Sequence, residues 1–508
     1  MHTDARTLEN NTLIEADLCI IGAGAAGICM AMEWKDTAHK VVLLEGGGFD
    51  PSFEMQQFYC GESLGAPYQV PLEFARLHYF GGTTGHWAGW CSPLDPIDFE
   101  KRDWIPYSGW PFKKKALDPF YARAHPYVEL GPYEYDAVHY EATLEGFERL
   151  PLDSEVFWTK MWQFSPPTRF GVKYRDPIKK ADNIRLLTHA RATEVKANDT
   201  VSSIEEIEVQ TLNDKTHRVR AKHYVLACGA IQNARLLLAS NKQNKAGVGN
   251  DNDVVGRFFM EHFEMGGAQL LLREQSPMKM YLGRMGGGLL PGGELAVTDL
   301  VQEKHQILNG TASLRPGMFD KKLTSFFERF TERKRVWEME DGGRRPLVFP
   351  AAPPEGYKAF KLHSRAEQAP NPHSRVELSE EVDAMGMPLA NLHWQLCELD
   401  KRSIRIFYEL LGQEMGRLDI GRIQLLDWLF DDDHNWPSFL GGGFHHMGTT
   451  RMHDDPKQGV LDTNSTVHGI HNLHVAGSST FTTAGAANPT LTLLALAIRL
   501  ADHLKSKV

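Results

Sequence analysis

"ADLCIIGAGAAGICMAMEW", residues 16–34, sets a short apolar run, three spaced glycines and a helix-forming stretch in direct succession. Ala16–Ile21 has the length and composition of a buried strand, and Gly22–Trp34 begins Gly-rich and turns helical. "KVVLLEGG", Lys40–Gly47, supplies a second buried strand, so the segment reads as a βαβ unit. Gly22, Gly24 and Gly27 form GxGxxG between the first strand and the helix. Gly22 permits the tight turn, Gly24 lets the backbone approach a pyrophosphate, and Gly27 lets the helix pack on the strand. The helix N-terminus then faces the phosphate charge. Glu45 closes the second strand, where an acid binds a ribose hydroxyl. These residues point to a bound dinucleotide. They do not separate FAD from NAD, whose adenosine halves are bound alike.

The pattern returns twice. "HYVLACGAIQNARLLLAS", His223–Ser240, reads as strand, Gly turn and helix. Asn472–Leu504 reads the same way, with a strand at His474–Ala476 and a helix starting at Pro489 behind Asn488 as N-cap. Three such units can share one parallel sheet. Between them, residues 90–180 are rich in Trp, Tyr and Pro, and residues 266–440 mix alternating strands with charged helices. The expectation is an α/β chain in which one domain is threaded through another. Residues 15–89, 181–265 and 441–508 would form the dinucleotide domain, the last also carrying catalytic residues. Residues 90–180 and 266–440 would form the substrate domain.

The bulk composition narrows the class. Of 508 residues 42% are hydrophobic and the net charge is −10, which fits a globular protein. No Lys/Arg-rich block appears, so a nucleic-acid partner is not expected. The apolar runs are shorter than the roughly 18 residues of a membrane helix, so no membrane span is expected. The N-terminus "MHTDARTLEN" lacks an apolar export core. A cytoplasmic protein is expected, with export to the periplasm beside a signal-bearing partner as the alternative. Cys19, Cys29, Cys60, Cys91, Cys228 and Cys397 form no CxxC pair, so no metal site is expected. "KKLTSFFERFTERKRVW", Lys321–Trp337, reads as a basic amphipathic helix, a solvated helix with one core face or a surface for a small partner subunit.

Several more segments carry a family resemblance: "GGTTGHWAG", "LLTHARATEV", "VGRFFMEH", "PNPHSRVELS", "HHMGTTRM" and "LHVAGSSTFTTAGAANPTLT". With the βαβ unit and "YVLACGAIQNARLLLAS" they follow in the order seen in the glucose–methanol–choline (GMC) oxidoreductases, which this chain resembles. The resemblance implies a Rossmann-like FAD-binding domain and a discontinuous α+β substrate domain containing an antiparallel sheet. It places Gly22, Gly24, Ala25 and Gly27 at the pyrophosphate, and Glu45 with Gly46 at the adenosine ribose. The backbone of Val195 would meet the adenine, with Ala227, Cys228 and Gly229 flanking the adenosine. Gly81, Gly82, Thr83 and Thr84 would run beside the isoalloxazine and pyrophosphate, followed by His86 and Trp87. Gly477, Ser478, Asn488, Pro489 and Thr490 would contact the ribityl chain and pyrimidine ring. FAD is expected to be held non-covalently, with His86 as the alternative point of covalent attachment.

The resemblance looks closest to the sugar-acting branch, which includes pyranose oxidase and bacterial glycoside and sugar dehydrogenases. Asn488 and the His86–Trp87 pair point there, although cholesterol oxidase also pairs His with Asn. A sugar or glycoside is the expected substrate, with a non-sugar alcohol as alternative and a non-oxidising flavin-binding lyase or partner subunit as a third reading. The electron acceptor is left open among O2, a quinone and an external carrier.

Alcohol oxidation needs a base for the hydroxyl proton, and histidine suits that task by its pKa. Aligned through "GTTRM", the family's catalytic histidine falls on His445 and its partner on Asn488. His446 reads as a structural or flavin-side neighbour. His445, His446 and His453 lack the i, i+4 spacing of a helical metal motif. His262 and His373 read as structural. Trp87, Trp90, Trp104 and Trp110 read mostly as core.

Overall fold

The computed structural model describes residues 1–507 except 69, 283–289, 318–354, 432–434 and 439. The predicted helix over 321–337 lies outside the described residues. The strand Leu13–Ile21 runs into the Gly-rich turn and the helix Ala25–Trp34, and the chain returns as the strand Val41–Leu44. Every residue of Val41–Leu44 is buried, as expected of a strand covered on both faces. Leu13–Ile21 is flanked in parallel by Val41–Leu44 on one side and Thr216–Leu226 on the other. Thr216–Leu226 also pairs in parallel with Leu473–Val475. The three strand–loop–helix units therefore meet in one sheet.

That sheet has eight strands. Ile184–Thr188 and His2–Asp4 extend its parallel part beyond Val41–Leu44. Ile204–Gln210 and Arg191–Ala197 extend the other side with antiparallel pairing. His2–Asp4 precedes the segment 15–89, and the chain's N-terminal ammonium donates to the carbonyls of Ala181 and Ile184.

A second, seven-stranded sheet is built from antiparallel pairs. Its order is Gly421–Leu425, Phe263–Arg273, Tyr357–Ala366, Gly310–Pro316, Gly292–Val297, Phe157–Phe164 and Trp90–Cys91. Phe263–Arg273 begins at the end of the 181–265 segment yet both of its partner strands lie in this sheet. A small sheet joins Arg375–Val382, Pro388–Trp394 and Ser63–Gly65. The helix Pro489–Lys505 packs between the helices Ala25–Trp34 and Asp118–Ala124. No helix among the described residues is long and apolar enough to cross a membrane.

Candidate active site

A cavity of about 690 Å³ opens where the parallel strands end and reaches the antiparallel sheet. Gly22, Glu45, Ala227 and Ala476 line it, each just past the C-terminal end of its strand. Ligands of open α/β sheets lie at that edge.

The glycines there have distinct surroundings. Gly22 sits at φ +99°, and a Cβ on it would lie 2.7 Å from the carbonyl oxygen of Ala227. A Cβ on Gly24 would meet nothing within 4 Å, because that face looks into the cavity. Gly229, at φ +82°, is equally open. The Glu45 carboxylate also lines the cavity, accepting the N–H groups of Ala23 at 3.1 Å and Gly47 at 2.8 Å. Burial raises its pKa. Arg191 Nη1 is buried without a partner, while Nη2 is paired with Asp383 at 2.6 Å. An open helix N-terminus, side-chain-free approaches at Gly24 and Gly229, and an unspent guanidinium N–H fit a long, phosphate-bearing dinucleotide.

Most residues assigned to the cofactor from sequence line this one cavity: Gly22, Gly24, Ala25, Glu45, Gly46, Gly82, Thr83, Thr84, His86, Trp87, Ala227, Cys228, Gly229, Gly477, Ser478, Asn488, Pro489 and Thr490. Three stand behind the wall. A Cβ on Gly27 would collide with the carbonyl oxygen of Gly22, so Gly27 serves close helix–strand packing. Gly81, at φ +101°, abuts Gly171. Val195 is fully buried, and its N–H donates to Ser240 Oγ at 2.9 Å. Ala190, Arg191 and Ala192 line that end instead. A register irregularity between Ala192 and Glu194 shifts the strand there before pairing resumes at Glu194–Glu208.

At the other end, two chain segments are clipped together. Bridges at Met260–Met447 and Phe263–Gly442 bracket Glu261 and His262 on one side and His445 and His446 on the other. Phe444, just before His445, holds the left-handed conformation at φ 56°. That conformation is costly for a bulky side chain, so the surroundings enforce it. His445 N–H donates to Glu261 Oε1 at 2.6 Å. The His445 ring then lies between two partners, with Nδ1 2.9 Å from His262 Nδ1 and Nε2 3.2 Å from Asn488 Nδ2. Asn488 is the residue before the helix Pro489–Lys505, as expected, but its side chain makes no capping bond. Its Oδ1 instead accepts the indole N–H of Trp162 at 3.0 Å.

Burial lowers the His445 pKa to about 3, with further lowering from His262 and an opposing rise from Glu264. Its ring is therefore a neutral acceptor at neutral pH. Glu264 lines the cavity and is held ionised by Arg365, whose Nε donates to Glu264 Oε1 at 2.9 Å. Arg365 also pairs with Glu294 at 3.1 Å, and its guanidinium centre lies 5.0 Å from the Trp90 ring centroid and 5.3 Å from that of Trp162. Trp90, Glu264, Arg315 and Arg365 thus give the cavity a charged and aromatic wall. Sequence reasoning missed Trp162, Glu261, Glu264, Arg315 and Arg365. Of the four early tryptophans, Trp110 is core, Trp104 is half-buried, and Trp87 and Trp90 line the site. His446 lines it too, its Nε2 2.6 Å from the Tyr68 hydroxyl. His453 lies apart, its Nδ1 accepting the Asp455 N–H in a local turn.

Two family models described as GMC oxidoreductase match residues 172–264 and 370–497, which carry the His262 and His445–Asn488 halves of this site. The chain carries both GMC oxidoreductase domains, the N-terminal and the C-terminal. Its relatives include 2-methyl-1,2-propanediol dehydrogenase of Mycolicibacterium austroafricanum, 23% identical over 97% of this chain and 96% of that protein. The fructose dehydrogenase large subunit of Gluconobacter japonicus is 25% identical over 97% and 98%. A solved formate oxidase of Aspergillus oryzae RIB40 shares the fold, with a TM-score of 0.57 and 16% identity over 98% of this chain and 99% of that one. The protein is accordingly an FAD-dependent oxidoreductase acting on CH–OH donors.

Proposed function

We propose that the protein oxidises a secondary hydroxyl, at C2 or C3, of a pyranose sugar or glycoside to the ketone. The observation that carries this reading is the composition of the wall opposite the cofactor glycines. Two guanidinium groups, Arg315 and Arg365, the Glu264 carboxylate, Asn488 and the Trp90 ring offer donors, an acceptor and a stacking face to a polyol. A sterol or long alkyl chain would take water from these charged groups and offer them no hydrogen bond in return.

His445 Nε2 takes the hydroxyl proton. Asn488 Nδ2 donates to the same oxygen and stabilises the developing alkoxide. Bound FAD supplies at N5 the acceptor for the hydride leaving the C–H bond. Glu264, ionised and near His445, offsets the positive charge that the ring gains. Gly22, Gly24 and the helix start at Ala25 hold the pyrophosphate, Glu45 and Arg191 the adenosine side, Gly82–Thr84 the flavin side, and Ser478 and Asn488–Thr490 the ribityl chain and pyrimidine. Residues 15–89, 181–265 and 441–508 form the cofactor part, and residues 90–180 and 266–440 the substrate part.

FAD is bound without a covalent link in this reading. Precipitation in acid then leaves a yellow supernatant, and a yellow pellet that turns colourless in His86→Ala places the link at His86. The Gluconobacter relative is a large subunit, which supports a small partner subunit here as well. The propanediol dehydrogenase relative favours a second reading, a small non-sugar alcohol. Anaerobic flavin bleaching against a panel of pyranoses, glycosides and simple alcohols, followed by product NMR, separates the two. A ring ketone supports the first reading, and bleaching by simple alcohols alone overturns it.

A further inference from the structure

The contacts around His445 form a hydrogen-bond chain whose direction can be read from both ends. At one end His262 Nε2 lies 2.9 Å from the Gly485 carbonyl and 3.2 Å from that of Ala484. A carbonyl only accepts, so this nitrogen carries a proton. His262 is fully buried, and burial lowers its pKa to about 4, so the ring is neutral and its Nδ1 is bare. The 2.9 Å contact with His445 Nδ1 needs one proton, and only His445 can provide it.

The other end gives the same answer independently. The indole N–H of Trp162 can only donate, so the Asn488 atom 3.0 Å away is the amide oxygen. The amide nitrogen then faces His445 Nε2 at 3.2 Å and donates to it. That nitrogen must hold a lone pair, and the proton of the neutral ring must be on Nδ1.

We propose that His262 and Trp162 are positioning residues that fix His445 as the Nδ1–H tautomer, so that the unprotonated Nε2, which holds the Asn488 N–H, takes the proton when the substrate hydroxyl replaces that N–H. The inference rests on the reading of His445 as the base. In the other tautomer Nε2 would present a proton and could accept none. After the hydroxyl proton moves to Nε2, Nδ1–H still donates to His262, so the charged ring keeps its orientation. Trp162 keeps the Asn488 amide from flipping, so its N–H group and not its oxygen meets the alkoxide.

The tautomer is read directly from two-bond ¹H–¹⁵N correlations of the FAD-loaded protein carrying ¹⁵N-histidine. The His445 ring is assigned by its loss in His445→Asn. Protonated Nδ1 and bare Nε2 are expected, and a protonated Nε2 overturns the proposal. Kinetics give a second reading. His262→Leu removes the acceptor, and flavin reduction at saturating substrate should fall by at least about ten-fold with FAD content and KM retained. His262→Gln, whose side-chain oxygen can accept from Nδ1–H, should recover most of that loss. Equal rates in the two variants overturn the proposal. Trp162→Phe should lower the same rate without releasing FAD, and an unchanged rate removes Trp162 from it. If the variants lose FAD, the wild-type spectrum alone decides. Wild-type reduction in His445→Ala beside a protonated Nδ1 would sink the base assignment and leave the tautomer standing.

Discussion

Asn488 Nδ2 lies 3.2 Å from His445 Nε2 across 43 residues of chain. Because Trp162 holds the amide oxygen, the amide nitrogen is the one group of Asn488 free to stabilise an alkoxide. Asn488→Asp keeps an acceptor for Trp162 and loses that donor. The rate of flavin reduction should fall by about 10²–10³-fold, the cost of removing one such donor. Rapid-mixing absorbance at the flavin band reads it, and a loss under three-fold would remove Asn488 from the chemistry.

Gly24 and Gly27 separate cofactor approach from packing. A Cβ on Gly24 meets no protein atom within 4 Å, whereas one on Gly27 collides with the carbonyl of Gly22. Gly24→Ala should therefore fold and melt like the apoprotein but retain little FAD. Gly27→Ala should lower the melting temperature of the apoprotein itself. Full FAD retention by Gly24→Ala contradicts the close approach.

Glu261 gives a pH signature to stability. Burial raises its pKa from 4.5 to about 8, against the lowering by the His445 and His262 N–H groups that donate to it. The folded protein keeps this proton where the unfolded chain has lost it, so its contribution is full below pH 4.5 and is lost as pH rises through about 8. Glu261→Gln keeps an acceptor for both N–H groups and does not ionise. The melting temperature of the variant minus that of the wild type should rise between pH 4.5 and 8 and level off above. A difference flat across that window argues against a buried neutral Glu261.

Arg365 ties Glu264 and Glu294 to one guanidinium with little solvent contact. Arg365→Leu strands two carboxylates, and breaking a buried pair this way costs about 3–5 kcal/mol. Thermal unfolding should shift down by several degrees at neutral pH and shift less near pH 4, where the stranded carboxylates take up protons. An unchanged melting temperature contradicts the pairing.

The cofactor end was legible because its requirement falls on residue type. A turn at positive φ, a bare approach and a helix–strand contact call for glycine, and Gly22, Gly24 and Gly27 announce themselves locally. Asn488 was legible as the residue before a helix, but its side chain turns from the helix toward Trp162 and His445, a choice made by residues distant in sequence. Val195 was assigned through the resemblance, and the residues of its strand that reach the cavity wall are Arg191 and Ala192, a detail set by the fold. The charged wall facing those glycines was hidden. Glu264 and Arg365 meet because Phe263–Arg273 pairs with Tyr357–Ala366, a register no local periodicity reveals. His262 was visible as a histidine, yet its task depends on the direction of a hydrogen bond to Gly485, which only the folded chain supplies.

In the proposed reaction His445 takes a hydroxyl proton from a sugar. The most direct test is anaerobic rapid mixing of wild type and His445→Ala, both FAD-loaded, with the pyranose or glycoside that bleaches the flavin fastest. A loss of about 10²–10⁴-fold in the variant, with FAD content unchanged, is the predicted result. Reduction at near wild-type speed would contradict it.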